Sequence, residues 1–143
     1  MAIRYVNPHT FLSAKAATGA GTSLKVSDHR HIVVAVATAS SANLTLQAQG
    51  SIGAEAGQVT SDGVGTEPTW SGAQSATNHW DYVALSDYDT AVITAGATGF
   101  VVAGTDDYKL YEVNVNGLHW LNFNVTARSA GNVTVWAVGY TNQ

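Results

Sequence analysis

The sequence predicts an all-β protein, an antiparallel β-sandwich of jelly-roll type with about eight or nine strands and an N-terminal arm. Near the C terminus, apolar and polar residues alternate in three segments that begin at Tyr111, Leu121 and Val133. Because successive side chains of a strand point to opposite faces, each segment has one face to bury. Turn residues separate the segments, and no stretch keeps a helical period. This number of strands is enough for two packed sheets.

The first 21 residues are predicted to form an arm, and residues 22–143 a single β-sandwich domain. Asn7-Pro8 interrupts regular structure, and residues 17–21 have the composition of a flexible linker. Phe11 and Leu12 are the apolar anchors between these breaks, and we expect them to dock on this subunit or on a neighbour. On this interpretation, a chain without residues 1–12 still folds.

The remaining strands follow in order along the chain. Residues 24–26 begin the first strand, and residues 31–38 form a continuous run of mostly β-branched residues and Ala. Such a run predicts a central strand that is buried on both faces. The next strand alternates apolar and polar residues over 44–49, and three short strands are predicted at 80–85, 90–95 and 100–103.

Two turns predict hairpins in the last third of the chain. Ser129-Ala130-Gly131 fits a three-residue loop with glycine in the left-handed conformation. Asn116-Gly117 predicts a second hairpin, in which a bulge or a three-residue loop pairs Val113 with Leu121. Trp136 falls on the face opposite Val135 and is expected to be exposed or at an interface.

Residues 50–77 carry many turn residues and little periodicity, which is long for a loop without a function or an interface. Trp70 lies in this segment, and Trp80, Tyr82 and Tyr88 follow it. Aromatic rings beside Asn and Asp can stack on sugars, whereas Trp and Tyr are also enriched at subunit contacts. We favour core packing and subunit contacts and leave glycan binding open. The predicted interface residues are Tyr5, Phe11, Leu12, Trp70, Trp80 and Tyr82.

Composition narrows the possible partners. Charged residues make up 11% of the 143 residues, and the net charge of −4 includes only 6 Lys and Arg, so we expect no nucleic-acid partner. A neutral polar surface protects weakly against association, which favours an oligomer. The longest apolar run, residues 32–37, is too short to span a bilayer, and residues 1–5 show no signal-peptide hydrophobic region. We therefore expect no membrane partner and synthesis in a cytoplasm.

No pattern of residues predicts an active site. The chain has no cysteine, which excludes thiol nucleophiles and thiolate metal sites. His29 and His31 share one side of a strand but lack a nearby third metal ligand other than Asp28. The pairs Asp87/Asp89 and Asp106/Asp107 fit turn-capping aspartates better than a calcium loop, although calcium stays open. We predict no enzyme activity and no catalytic, cofactor-binding or metal-binding residues.

Three stretches of the chain resemble small structural proteins of tailed-bacteriophage particles, above all the capsid decoration (cement) proteins. These stretches are residues 22–34, residues 43–51 and residues 111–135. The resemblance covers most of residues 22–140 and transfers no family binding residue to this chain. It implies a β-sandwich or jelly-roll domain that forms trimers and clamps neighbouring major capsid subunits through loops and terminal arms.

We therefore expect a non-enzymatic decoration protein, made in the host cytoplasm and placed on the capsid surface. The expected partners are the major capsid protein and two further copies of this chain in a homotrimer. The alternative is a tail or receptor-binding module that recognises host glycans through the aromatic loop.

Overall fold

The computed structural model shows an all-β protein in which every strand pairing is antiparallel. The structure describes residues 3–5, 8–53, 59–70, 79–104 and 107–142; for residues 3–5, 103–104 and 140–142 it describes the backbone. The strands are β1 Ile3–Tyr5, β2 His9–Lys15, β3 Gly19–Ala20, β4 Leu24–Lys25, β5 His31–Ser51, β6 Asp81–Val83, β7 Leu85–Asp87, β8 Ile93–Thr94, β9 Phe100–Gly104, β10 Tyr108–Asn114 and β11 Trp120–Asn142. Among these residues, no helix is long and apolar enough to cross a membrane.

A long ribbon of two strands, β5 and β11, organises the molecule. The two strands contain 21 and 23 residues and pair along their whole length, from His31 with Tyr140 to Ser51 with Trp120. The first half of β5 (31–39) also pairs with β10, and the second half (42–51) pairs with β6 and β9. Since β5 has neighbours on both sides, the central position predicted for residues 31–38 is confirmed. The burial predicted on both faces is wrong, because His31, Val33 and Ala37 on the outer face are partly exposed.

The ribbon bends at its middle. Ser40 and Ser41 of β5 have φ angles of 62° and 53°, and Gly131 of β11 has a φ of 69°. Register shifts also interrupt the pairing of β11 with β5 between Val125 and Asn132. Left-handed residues on both strands therefore turn the ribbon at one place instead of ending it.

The hairpin predicted at Ser129–Gly131 is wrong, although Gly131 does adopt the predicted left-handed conformation. Ala130 pairs with Asn43 and Asn132 pairs with Ala39, so β11 continues beside β5 on both sides of the bend. Residues typical of a hairpin turn form a bend here, because the neighbouring strand β5 bends at the same place.

Aromatic contacts join the two halves of the ribbon around one core. Phe11 of β2, which pairs with the second half of β11, lies 4.9 Å from Phe123 in the first half (ring centroids). Phe100 of β9 lies 4.8 Å from Tyr111 of β10, although these strands border opposite halves of β5. The core therefore fills the space between the halves.

The turn at Asn116-Gly117 forms, but it does not make the predicted hairpin. Gly117 has a φ of 88°, and the Asn114 side chain accepts a hydrogen bond from the Asn116 amide at 3.0 Å. β10 pairs with the first half of β5, whereas β11 starts beside the second half. The predicted pairing of Val113 with Leu121 is therefore wrong, and the turn carries the chain from one half to the other.

Residues 9–15 belong to the sheet, where the sequence suggested an arm. β2 pairs with β11, and Phe11 and Leu12 are each only 2% exposed. The segment after β2 is also fixed, because the Gly21 amide donates a hydrogen bond to the Phe123 carbonyl at 2.8 Å. The two anchors therefore dock on their own subunit, and the expectation that residues 1–12 can be removed is revised.

Candidate functional site

The six predicted interface residues lie in different environments. Phe11, Leu12 and Trp80 are buried in the protein's own interior and leave no surface for a partner. Trp70 and Tyr82 are partly exposed, so an interface role stays a prediction for these two. Tyr5 pairs with Tyr140 through the backbone, and its side chain lies outside the described residues.

The aromatic loop is held by polar contacts of its indoles. Trp70 donates its indole N–H to Gln49 Oε1 at 2.7 Å, and Trp80 donates to the Pro68 carbonyl at 3.2 Å. A second anchor lies at Gly65, whose carbonyl accepts a hydrogen bond from the Trp120 indole at 2.6 Å. These contacts fasten the described part of residues 50–77 to the sheet.

An apolar patch covers the outer face of the first half of β5. Leu110 of β10 and Trp136 of β11 both pair with Ala35, so the three side chains share one face. The Tyr108 ring lies 5.9 Å from the Trp136 ring, and the Tyr88 hydroxyl, at the same edge, donates to Glu112 Oε2 at 3.2 Å. We call Tyr88, Tyr108, Leu110 and Trp136 the docking face.

Three residues of the docking face expose much of their side chains to solvent. Tyr88, Tyr108 and Leu110 are 52%, 55% and 37% exposed. Sequence analysis identified Trp136 as a residue for this kind of surface but missed Tyr108 and Leu110. The signal was present in β10, where apolar residues occupy both alternating faces.

A cleft of about 460 Å³ opens on the opposite side of β10. Tyr111 faces the core, and Lys109, two positions earlier, shares its side of the strand. Asp87 of β7 pairs with Tyr111 and so faces the same way. From Val113 back to Lys109, the core-facing row of β10 therefore changes from apolar to charged. The cleft is lined by Val36, Asp87, Thr94, Gly99, Phe100, Val101, Val102, Asp107, Lys109 and Tyr111.

The charged groups of the cleft form an organised pair. Lys109 Nζ lies 3.1 Å from Asp87 Oδ2, and Asp87 Oδ1 accepts the Asp89 amide N–H at 2.8 Å. Hydrogen bonds from Lys109 and from the turn amides hold the pKa of Asp87 below its ordinary value. The same ion pair raises the pKa of Lys109, and burial raises the pKa of Tyr111.

Among the aspartates for which calcium was left open, Asp87 caps a turn as predicted. Asp87 caps the turn at residues 87–90, and Asp107 Oδ1 accepts the Tyr108 amide N–H at 3.0 Å. Asp106 lies outside the described residues. Within the described part of the chain, no group of three His, Asp or Glu side chains is placed to hold a metal ion.

The two neighbouring histidines have different surroundings. His31 Nδ1 lies 2.9 Å from Glu112 Oε1. The His29 ring packs against Gly139 so closely that a Cβ at that position would overlap it. Neither ring nitrogen of His29 has a hydrogen-bond partner among the described residues, and burial lowers its pKa while Asp28 opposes that shift.

Comparisons with known proteins find relatives in structure. No family model and no curated protein matches the sequence. The fold resembles the SPBc2 prophage-derived protein YomS, with a TM-score of 0.63 and 14% identity over 99% of this chain and 96% of that one. It also resembles the PBSX exported protein XepA, with a TM-score of 0.64 and 12% identity. That match covers 99% of this chain but 39% of XepA. At these identities the comparisons show a shared fold.

Proposed function

We propose that this protein is a non-enzymatic structural protein of a bacteriophage particle, which decorates the capsid and bridges major capsid subunits. The fold it shares with two proteins of prophage origin supports a phage source. The two halves of the bent ribbon would then be the two layers of a jelly-roll-like sandwich.

The docking face is the observation that carries this proposal. Its tyrosines and leucine are exposed beside the half-buried Trp136, and such apolar patches mark sites of protein association. Tyr and Trp are the side chains enriched at protein interfaces. A cement protein needs this kind of surface, because it must hold its partner without covalent chemistry.

Attachment can be tested on capsids that lack their native decoration protein. We expect the double variant Tyr108→Ser/Leu110→Ser to fold and to lose most of its capsid occupancy, because both side chains are exposed. Ile52→Ser is the matched control, since Ile52 is an exposed apolar residue (68%) outside the docking face. Equal occupancy of both variants and the wild type would contradict the proposed contact.

We also propose that three copies of the chain assemble into a homotrimer. The low charge of the chain and its exposed apolar residues favour association between copies. Each pairwise contact is expected to bury roughly 1,000 Å² or more in total. Analytical ultracentrifugation of the free protein and of protein released from capsids measures the stoichiometry, and a monomer in both would contradict the trimer.

A tail or receptor-binding module is the second candidate. The cleft beside β10 favours it, since it combines an apolar floor with polar groups suited to a small polar ligand. The structural neighbour XepA is described as an exported protein, which agrees with a role outside the cell. Immunogold labelling of purified phage particles separates the two candidates by showing label on the head or on the tail.

A further inference from the structure

We infer that the cleft between β7, β9 and β10 is a binding site for a neutral saccharide. The cleft lies on the opposite side of β10 from Tyr108 and Leu110, but Asp87 and Lys109 also border a second pocket with Tyr88, Tyr108 and Leu110. Capsid occupancy of the cleft variants is therefore measured beside sugar binding, so that failure of one proposal can be told apart from failure of the other.

Charged side chains occupy core-facing positions beside the cleft. Core-facing positions of a strand normally hold apolar side chains, and burying charged groups there costs free energy unless they are paired. In β10 the row passes from Val113, fully buried, to Tyr111 and then to Lys109. Asp87, which faces the same space, has 14% of its side chain exposed, and Lys109 has 38%. Among the described residues, this ion pair therefore lines an open cleft at the edge of the core.

The cleft combines an apolar wall with polar groups. Val36, Phe100 and Val102 form the apolar wall, and Asp87, Asp107 and Lys109 line the same cleft. Tyr111 lines the same cleft, and burial raises the pKa of its hydroxyl. The volume lies within the range of about 300–1,000 Å³ that is usual for small-molecule sites.

The charged groups of the cleft favour a neutral ligand with several hydroxyl groups. Lys109 donates to Asp87 Oδ2 at 3.1 Å, and its ammonium has two further N–H donors while the carboxylate oxygen has a further lone pair. The pair can therefore offer a donor and an acceptor to neighbouring hydroxyl groups on one ring. An anionic ligand would meet two carboxylates, and a cationic ligand would compete with Lys109 for Asp87. A neutral polyol leaves the ion pair intact, and the C–H face of a sugar ring suits the apolar wall.

Titration calorimetry with a panel of methyl hexosides and N-acetylhexosamines tests the inference. We expect at least one sugar to bind with a millimolar dissociation constant, and Lys109→Met to weaken that binding about tenfold or more, the scale of a lost charged hydrogen bond. Asp87→Asn keeps the turn cap and removes the charge, and it should weaken binding in the same direction. Glu112→Gln, on the outer side of β10, is the control and should bind as the wild type does.

Three results would overturn the inference. They are no binding by any sugar of the panel, equal affinity in wild type and Lys109→Met, or binding of spermidine in preference to every sugar. If Lys109→Met or Asp87→Asn fails to fold, Thr94→Val and Asp107→Asn probe the same cleft. Sugar binding that survives these two substitutions unchanged would place the ligand elsewhere.

Discussion

Phe123 links the two halves of the ribbon through its contact with Phe11. It is fully buried and lies between Leu121 and Val125, which are also buried. We expect Phe123→Ala to lower the free energy of unfolding by about 3–5 kcal/mol, as for other buried aromatics. Urea denaturation measures this loss, with the 70%-exposed Val101→Ala as the control. An unchanged midpoint for Phe123→Ala would contradict the assigned core.

His29 makes folding sensitive to mild acid. Burial holds its pKa in the folded state below the ordinary 6.5. Below about pH 6.5 the unfolded chain therefore binds more protons than the folded chain, and stability falls as the pH falls. We expect His29→Asn to reduce the drop in urea midpoint between about pH 7 and pH 5. The exposed His79→Asn is the control, and an equal drop in both variants would contradict this role.

The bend in the ribbon depends on Gly131. Its φ of 69° disfavours other residues, and a Cβ there would lie 2.6 Å from the Ala39 carbonyl oxygen. Gly117 is a matched control because its φ is 88° and a Cβ would meet nothing within 4 Å. We expect Gly131→Ala to destabilise the protein by about 1–3 kcal/mol more than Gly117→Ala, the added cost of overpacking. Equal thermal midpoints would show that the bend has room for a side chain.

β2 is part of the folded domain. A chain without residues 1–12 loses Phe11 and Leu12, which together cost about 5–10 kcal/mol when their cavities stay empty. That loss is comparable to the whole stability of a domain, about 5–15 kcal/mol. We therefore expect the truncated chain not to fold, as judged by near-ultraviolet circular dichroism. A truncated chain with wild-type stability would restore the arm suggested by the sequence.

The sequence predicts the strands better than their pairing. Alternation correctly identifies the buried apolar side chains of residues 44–48 and 121–125, because that choice depends on local periodicity. It fails for Gln49, Asn122 and Asn124, which are buried as well, and for Ala127, which is exposed. The pairing depends on distant partners. Ser129–Gly131 has the residues of a hairpin loop, but its neighbours are residues 39–43, which bend at Ser40 and Ser41. Likewise, the linker-like residues 17–21 contain the strand β3, which pairs with the distant residues Asn124 and Val125.

The candidate sites, like the strand pairings, depend on residues that are distant in the sequence. The sequence did not separate Trp80, which is buried, from Trp70 and Tyr82, which are partly exposed, and sequence analysis missed the exposed Tyr108. Lys109 occupies an ordinary polar position in an alternating strand. It becomes informative only when the fold places it on the core-facing side beside Asp87. Sites made by strands from both halves of a bent ribbon have no compact sequence motif.

The two sides of β10 suit two different kinds of contact. The docking face exposes apolar side chains, which suits the proposed protein partner, and the cleft is open and lined by charged groups, which suits the proposed small ligand. A decoration protein with both would attach to the shell through one side of the sheet and keep the other available at the particle surface.

Electron cryo-microscopy of phage particles that carry the protein tests the central claim most directly. We predict density for three copies of this fold on the outside of the capsid, with Tyr108, Leu110 and Trp136 against major capsid subunits. Density for the fold at the tail, or a docking face turned to solvent on the head, would contradict it.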